Sequence, residues 1–166
     1  FAETQDLDNP EMKELLVENL ESIYEKARDI SRNNSAIPTD EKFEHALWDL
    51  INSFNSESVN VIVKNSPPLD WHKISSPTKN AIYRVLQELM VNMKKHSQAS
   101  LASIKFESTQ NAVLINYTDN GNGCEKNSFV KSGLKNMESR VQAVNGNIEF
   151  ETEPDKGFKA KIILPK

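Results

Sequence analysis

The stretch Asp119-Asn120-Gly121-Asn122-Gly123 decides the fold, and it follows an alternating apolar segment that predicts a strand over Ala112 to Tyr117. A carboxylate at the end of a strand can accept a hydrogen bond from a ligand. Glycines let the backbone come close to a ligand, although they also serve ordinary turns. Taken alone, the pattern leaves a plain turn and a ligand-binding loop both open.

A helix predicted over Gly133 to Val144 follows this loop and opens with Gly133-Leu134. The free N–H groups at the start of a helix attract phosphate. The helix ends at an Asn145-Gly146 turn, after which the sequence predicts two strands, Asn147 to Thr152 and Phe158 to Leu164. Because a short Pro-Asp-Lys-Gly loop joins these strands, we expect them to be antiparallel neighbours.

Upstream, a helix is predicted from Ser76, as its N-cap, and Pro77, in its first turn, to about His96. Its apolar face comprises Ile82, Leu86, Leu89, Met90 and Met93. A second, polar line comprises Arg84, Glu88, Asn92 and Lys95. Such a line is often simply solvated, but asparagine is a poor helix former, and its carbonyl oxygen suits Mg²⁺. Glu88 could accept a hydrogen bond from a metal-bound water, and Lys95 could meet a phosphate.

The remaining elements complete a mixed α/β pattern. A helix is predicted over about Asp40 to Asn55, a short strand over Val59 to Val63, and another strand over Ser103 to Phe106. Helices and strands are interspersed rather than segregated. The sequence therefore predicts an α/β sandwich in which helices cover one face of a mixed sheet.

The N-terminal region predicts a separate helix over Glu11 to Arg32 with a heptad seam of Leu16, Leu20, Ile23, Ala27 and Ile30. A lone helix is marginal in water, so this seam needs a partner. The partner is either the chain's own domain or a bundle that dimerises the protein. A linker over Asn33 to Thr39 favours the bundle. We predict a partial helical domain over residues 1–38 and a second domain over residues 39–166.

Composition limits the possible settings and partners. The net charge of −4 offers no general attraction to nucleic acid or to an anionic membrane. The single cysteine, Cys124, excludes an internal disulfide, and a reducing cytoplasm is the natural setting. No apolar run approaches the length of a membrane span. The chain starts at Phe1 and reads as a fragment, so membrane-anchored or sensor parts of the parent protein would lie outside it.

Three segments together resemble the ATP-binding domain of bacterial sensor histidine kinases. Glu88–His96, Asp119–Gly123 and Gly133–Val141 match, in order and spacing, that family's asparagine box, first glycine box and second glycine box, and we keep these names for them. The resemblance covers about Phe43 to Lys166. It implies the left-handed α/β sandwich shared with the chaperone, gyrase and mismatch-repair ATPases, preceded here by a bundle-forming helix.

The resemblance implies that the asparagine box holds the metal and the phosphates of ATP. Asn92 would bind Mg²⁺, with Glu88 acting through a water molecule. Lys95 and His96 would lie beside the phosphates. Glu88, Asn92 and Lys95 would thus be the catalytic residues of a protein histidine kinase.

The resemblance also implies a function for the two glycine boxes. Asp119 would accept a hydrogen bond from the amino group of adenine. Gly121 and Gly123, which have no side chains, would leave room for the base. Gly133 and Leu134 would open the helix that lies beneath the phosphates.

The same family phosphorylates a histidine that is followed by an acidic residue. None of the three histidines, His45, His72 and His96, has that neighbour, so the acceptor and its general base are expected upstream of Phe1. The phosphoryl group would then pass to an aspartate of a response regulator receiver domain. In the intact protein, residues 11–32 would pair two copies into a homodimer, with no contact to nucleic acid or membrane.

Three positions depart from the family pattern. Lys131 stands where a glycine is usual, Asn145 replaces the first residue of a Gly-Gly turn, and Phe158 replaces a threonine. Two other functions therefore remain open. One is a serine kinase or ATPase of the same fold, against which the heptad helix argues. The other is a degenerate, non-catalytic dimerisation module, for which Lys131 and Phe158 are the best support.

Overall fold

The computed structural model describes residues 36–65, 67–123 and 132–166, together with six residues of the N-terminal region, Lys13, Leu16, Val17, Asn19, Leu20 and Ile23. The chain divides into two compact units, Phe1–Ala36 and Ile37–Lys166. This division lies close to the boundary predicted between residues 38 and 39. In the part of the chain that is described, no helix is both long and apolar enough to cross a lipid bilayer.

The six described residues between Lys13 and Ile23 are helical, as the heptad pattern predicts. Their apolar side chains are exposed in the single chain: Leu16 by 42%, Leu20 by 64% and Ile23 by 62%. The seam positions Ala27 and Ile30 and the linker residues 33–35 lie outside the described residues. The described part of the seam therefore presents apolar surface that a partner could cover.

The described residues of the second unit form three α-helices and five strands. The helices are α1 (Phe43–Asn52), α2 (Ser76–Asn92) and α3 (Ser132–Gln142). The strands are β1 (Asn60–Asn65), β2 (Leu101–Ser108), β3 (Ala112–Asp119), β4 (Asn147–Thr152) and β5 (Phe158–Pro165). A short 3₁₀ turn, Trp71–Lys73, precedes α2, and a π-helical turn, Met93–Ser97, follows it. The three α-helices and the five strands were predicted from the sequence, with small differences at the ends, whereas the 3₁₀ and π-helical turns were not.

The five strands form one sheet in the order β1-β2-β3-β5-β4. β1 and β2 are parallel, whereas the other neighbouring pairs are antiparallel. The sheet is therefore mixed, and the last two strands are antiparallel neighbours, which confirms the predicted fold class. β3 is the central strand, and its last residue, Asp119, lies between Ala102 of β2 and Phe158 of β5.

The core lies between the helices and one face of this sheet. Alternate residues of the strands are buried in register, for example the cross-strand row Ile104, Tyr117 and Ala160. The helices contribute Phe43, Leu47 and Ile51 from α1, the predicted apolar face of α2, and Met137 and Val141 from α3. Burial of large apolar side chains at about 25 cal/mol per Å² is the main driving force for such a layered packing.

Three local predictions about α2 need correction. The N-cap is Ser75, whose Oγ accepts a hydrogen bond from the Thr78 N–H at 3.4 Å, rather than Ser76. The regular helix ends at Asn92 and not at His96, because a π-helical turn follows it.

Arg84, predicted on a polar face, is only 9% exposed and donates to Gln87 Oε1 at 3.0 Å. Burial lowers the pKa of Arg84, and the nearby positive charge of Arg140 acts in the same direction.

Candidate functional site

The C-terminal half of α2 and the start of α3 bring the asparagine box against the second glycine box. Glu88 and Asn92 are both half-buried on α2, one helical turn apart. Gly133 lies so close to them that an added Cβ would sit 2.3 Å from Glu88 Oε1 and 3.5 Å from Asn92 Nδ2. Because Gly133 has no side chain, α3 begins beside this carboxylate and amide without displacing the Glu88 side chain.

The π-helical turn changes how the end of the asparagine box is presented. Lys94, Lys95 and His96 are exposed on this turn, whereas Ser97 is buried. The turn is wider than an α-helical turn, so Lys95 is rotated about the helix axis relative to the position that a continuous α-helix would give it. Gln98 then adopts φ 52°, a left-handed conformation that ends the helix. Turns of this kind occur frequently at functional sites.

Asp119 is a buried carboxylate at the end of the central strand. It is 4% exposed, and both of its oxygens accept hydrogen bonds from the protein. Oδ1 accepts from the Gly121 N–H at 2.9 Å, and Oδ2 accepts from the Tyr117 hydroxyl at 2.9 Å. Burial raises the pKa of Tyr117 far above its usual value, and the adjacent Asp119 charge raises it further, so Tyr117 stays a donor.

The glycines of the first glycine box serve close backbone packing. A Cβ on Gly121 would lie 2.3 Å from the Ser97 carbonyl oxygen, and Asn122 N–H donates to that same oxygen at 2.7 Å. Gly123 has φ +60°, and a Cβ there would lie 2.1 Å from the Glu153 carbonyl oxygen. The first glycine box is thus packed between the end of the asparagine box and the β4–β5 hairpin. That Gly121 and Gly123 also admit adenine stays a prediction.

Part of the predicted site therefore lies around the C-terminal end of α2 and the turn that follows it. Glu88, Asn92 and Gly133 lie together, and Ser97 links the end of the asparagine box to Gly121. Leu134 is half-buried and packs against the core, which fixes the first turn of α3. Lys131, which departs from the family pattern, lies outside the described residues, as do Cys124 to Val130.

Sequence reasoning missed two residues that shape this site, Tyr117 and Ser97. The strand alternation could have found Tyr117, because residues two apart share one face and Asp119 is the next residue on that face. Ser97 carried no such signal. Its hydroxyl donates to the Met93 carbonyl oxygen at 3.0 Å and accepts from the Ala99 N–H at 3.1 Å, contacts that depend on the π-helical turn.

The donor set of the asparagine box fits a magnesium ion that is shared with a phosphate ligand. Glu88 and Asn92 supply carboxylate and amide oxygens, the hard ligands that Mg²⁺ prefers. Within residues 36–65, 67–123 and 132–166, no group of three or more His, Cys, Asp or Glu side chains could hold a metal by itself. Magnesium commonly keeps several waters and substrate oxygens, so one or two protein oxygens are sufficient.

The fold and these motifs define a class of ATP-binding protein. Residues 78–166 match the family described as histidine kinase-, DNA gyrase B- and HSP90-like ATPases. The chain belongs to this family, and the resemblance recognised from the sequence is confirmed.

Similar proteins place the chain beside sensor histidine kinases. It is 41% identical over 85 residues to the sensor histidine kinase ComP of Bacillus subtilis. The aligned region covers 49% of this chain and 11% of that protein. It is 30% identical over 87 residues to the histidine-protein kinase/phosphatase DegS of Brevibacillus brevis, covering 51% of this chain and 22% of that protein. The chain thus spans a small part of the length of these relatives.

Solved structures of histidine kinases share the fold at low sequence identity. The histidine kinase domain of a blue-light-activated kinase from Erythrobacter litoralis matches with a TM-score of 0.61 and 14% identity, covering 83% of this chain and 68% of that structure. The Acinetobacter baumannii histidine kinase AdeS matches with a TM-score of 0.54 and 19% identity, covering 98% of this chain and 87% of that structure. These likenesses support the fold alone.

Proposed function

We propose that this chain is the ATP-binding catalytic part of a sensor histidine kinase and that this part lies in the cytoplasm. It binds ATP with Mg²⁺ and presents the γ-phosphoryl group to a histidine upstream of this sequence, from which the group passes to an aspartate of a response regulator receiver domain. In the intact protein, residues 11–32 pair two copies into a dimer. The observation that carries the proposal is the approach of Gly133 to Glu88 and Asn92.

The closeness of Gly133 to Glu88 and Asn92 supports a phosphate site, because three favourable features lie side by side at the start of α3. The Glu88 carboxylate and the Asn92 side-chain amide, through its Nδ2, lie beside the start of α3, whose N–H groups attract anions. Asn92 would hold the metal directly, and Glu88 would orient a water in its coordination shell. Magnesium, when bound, neutralises charge on the phosphate oxygens and so lowers the barrier to phosphoryl transfer.

Asp119 supports adenine as the base. Its carboxylate is buried, is held by two protein donors, and keeps acceptor capacity for a ligand amino group. Lys95 and His96 are exposed on the turn after Asn92, where they would contact phosphate oxygens. Phosphoryl transfer requires mainly positioning and charge neutralisation, and these residues would supply both.

Calorimetry of the 166-residue chain tests the nucleotide site. ATP or ADP should bind in the micromolar to millimolar range with Mg²⁺ dependence, an affinity on the order of −4 to −8 kcal/mol. UTP, whose base presents no adenine amino group, serves as the control. Absence of heat change at millimolar ATP would refute catalysis and would favour a degenerate dimerisation module.

Phosphoamino-acid chemistry in the parent protein tests the acceptor. Phosphohistidine is lost in acid and survives in alkali, whereas phosphoserine behaves in the opposite way. An acid-labile, alkali-stable phosphoryl group formed from ATP supports a histidine kinase. An alkali-labile product would instead identify a serine kinase of the same fold.

A further inference from the structure

Tyr117 lies on the same face of β3 as Asp119, two residues before it, and its hydroxyl donates to Asp119 Oδ2 at 2.9 Å. Both side chains are buried, with exposures of 1% and 4%. The cross-strand neighbours of Asp119 are Ala102 and Phe158, neither of which has a polar side-chain atom. Among Asp119's neighbour on this face of β3 and its two cross-strand partners, the Tyr117 hydroxyl is therefore the side-chain donor to the carboxylate.

The two hydrogen bonds on Asp119 fix the carboxylate from both sides. The Gly121 N–H occupies one lone pair of Oδ1, and the Tyr117 hydroxyl occupies one lone pair of Oδ2. Each oxygen keeps one further lone pair for a ligand donor. A held carboxylate loses less conformational freedom when a ligand binds than one that rotates freely.

We propose that Tyr117 is a positioning residue that sets the preference of this site for a base with an exocyclic amino group. The inference rests on the proposed ATP site, and it assigns to Tyr117 the orientation of the Asp119 carboxylate that accepts the hydrogen bond. Without the tyrosine hydroxyl, the carboxylate can turn about its Cβ–Cγ bond. Its freed lone pair can then bind water, which competes with the amino group of the base.

The test compares ATP with purine riboside triphosphate, which lacks the adenine amino group, by calorimetry of the 166-residue chain with Mg²⁺. The unmodified chain is expected to bind ATP roughly 10- to 100-fold more tightly, because the analogue leaves a charged acceptor unpaired. In Tyr117→Phe, this preference should fall at least roughly threefold, the effect of ordering one side chain on binding. Since the change removes a single oxygen atom, the core stays filled, and a melting curve checks that the variant is folded at the titration temperature.

Two further variants isolate the effect. Tyr83→Phe removes a hydroxyl from a half-buried tyrosine of α2 and should leave the ATP preference unchanged. In an Asp119→Asn background, adding Tyr117→Phe should change the preference no further, because the tyrosine acts through that carboxylate. A purely structural role for Tyr117 would instead weaken both ligands equally.

The outcomes separate this inference from the proposed function. If the unmodified chain binds neither ligand, the proposed function fails and the role of Tyr117 fails with it. If the chain binds both ligands equally, it binds nucleotide without recognising the adenine amino group. The inference is then overturned, while nucleotide binding is supported. If the chain prefers ATP and Tyr117→Phe keeps that preference, only the role of Tyr117 is overturned.

Discussion

Replacing Gly121 with alanine should destabilise the ATP-binding unit, because the space for a side chain is filled by backbone. The added Cβ would lie 2.3 Å from the Ser97 carbonyl oxygen and 2.5 Å from Ser97 Cβ, whereas ordinary contact begins at 3.4 Å. The two segments would have to separate by about 1.1 Å, the difference between 3.4 and 2.3 Å. Asn122 N–H also donates to this carbonyl, so the separation strains a second contact.

The expected loss follows from the cost of overpacking a buried site. Inserting a methyl group into a packed region costs about 1–3 kcal/mol, and here the clash is with backbone that cannot rotate away. For a unit of this size, such a loss lowers Tm by roughly 3–10 °C. The displaced first glycine box should also weaken ATP binding, because Asp119 is hydrogen-bonded to the Gly121 N–H.

Gly133→Ala is the matched control, since it adds the same methyl group in the second glycine box. There the Cβ would lie 2.3 Å from Glu88 Oε1, the end of a flexible side chain that can turn aside. Alanine is also the better helix former by up to about 1 kcal/mol. Stability should therefore be unchanged or slightly raised, while the displaced Glu88 reduces the magnesium dependence of ATP binding.

Thermal and urea unfolding of the two variants, followed by circular dichroism, measure these effects, and calorimetry measures binding. The reasoning is refuted if Gly121→Ala melts within about 1 °C of the unmodified chain, since roughly 3 °C is the smallest loss expected. A Gly133→Ala variant that is as destabilised as Gly121→Ala would show that the distinction between backbone and flexible contacts is wrong.

Three further variants test the remaining assignments. Asp119→Asn should weaken ATP binding by about 1–3 kcal/mol, measured by calorimetry, because a charged acceptor is lost; unchanged affinity would contradict the adenine contact. Asn92→Ala should spare folding, as alanine favours helices, and should reduce ATP affinity in the presence of Mg²⁺ but not in EDTA. Equal loss in both conditions would argue against a metal ligand. Replacing Leu20 and Ile23 with glutamate should convert a self-associating chain into a monomer that still binds ATP. Sedimentation of both versions decides this, and an unmodified chain that is monomeric at tens of micromolar would reject pairing through this helix.

Local sequence patterns predicted most of the secondary structure. The apolar period of α2 placed Ile82, Leu86 and Leu89 in the core, and all are buried. The turn signal Asn145-Gly146 marked the end of α3 correctly, since Asn145 has φ 57° and asparagine tolerates that conformation. The ends of α2 were less well predicted. Ser75 and Ser76 are equally good caps by type, and a π-helical turn depends on contacts that a linear pattern does not contain.

The sequence by itself determined which residues form the three boxes and that a mixed α/β sandwich holds them, because periodicity and glycine positions are local properties. Only the tertiary structure decided which atoms meet. Gly133 lies beside Glu88, Gly121 against Ser97, and Tyr117 holds Asp119, contacts that span up to 45 positions, from 88 to 133. Such contacts follow from the strand order and from the packing of α3 on α2. Both are determined by the burial of apolar surface between segments that are distant in the sequence, so no single segment predicts them.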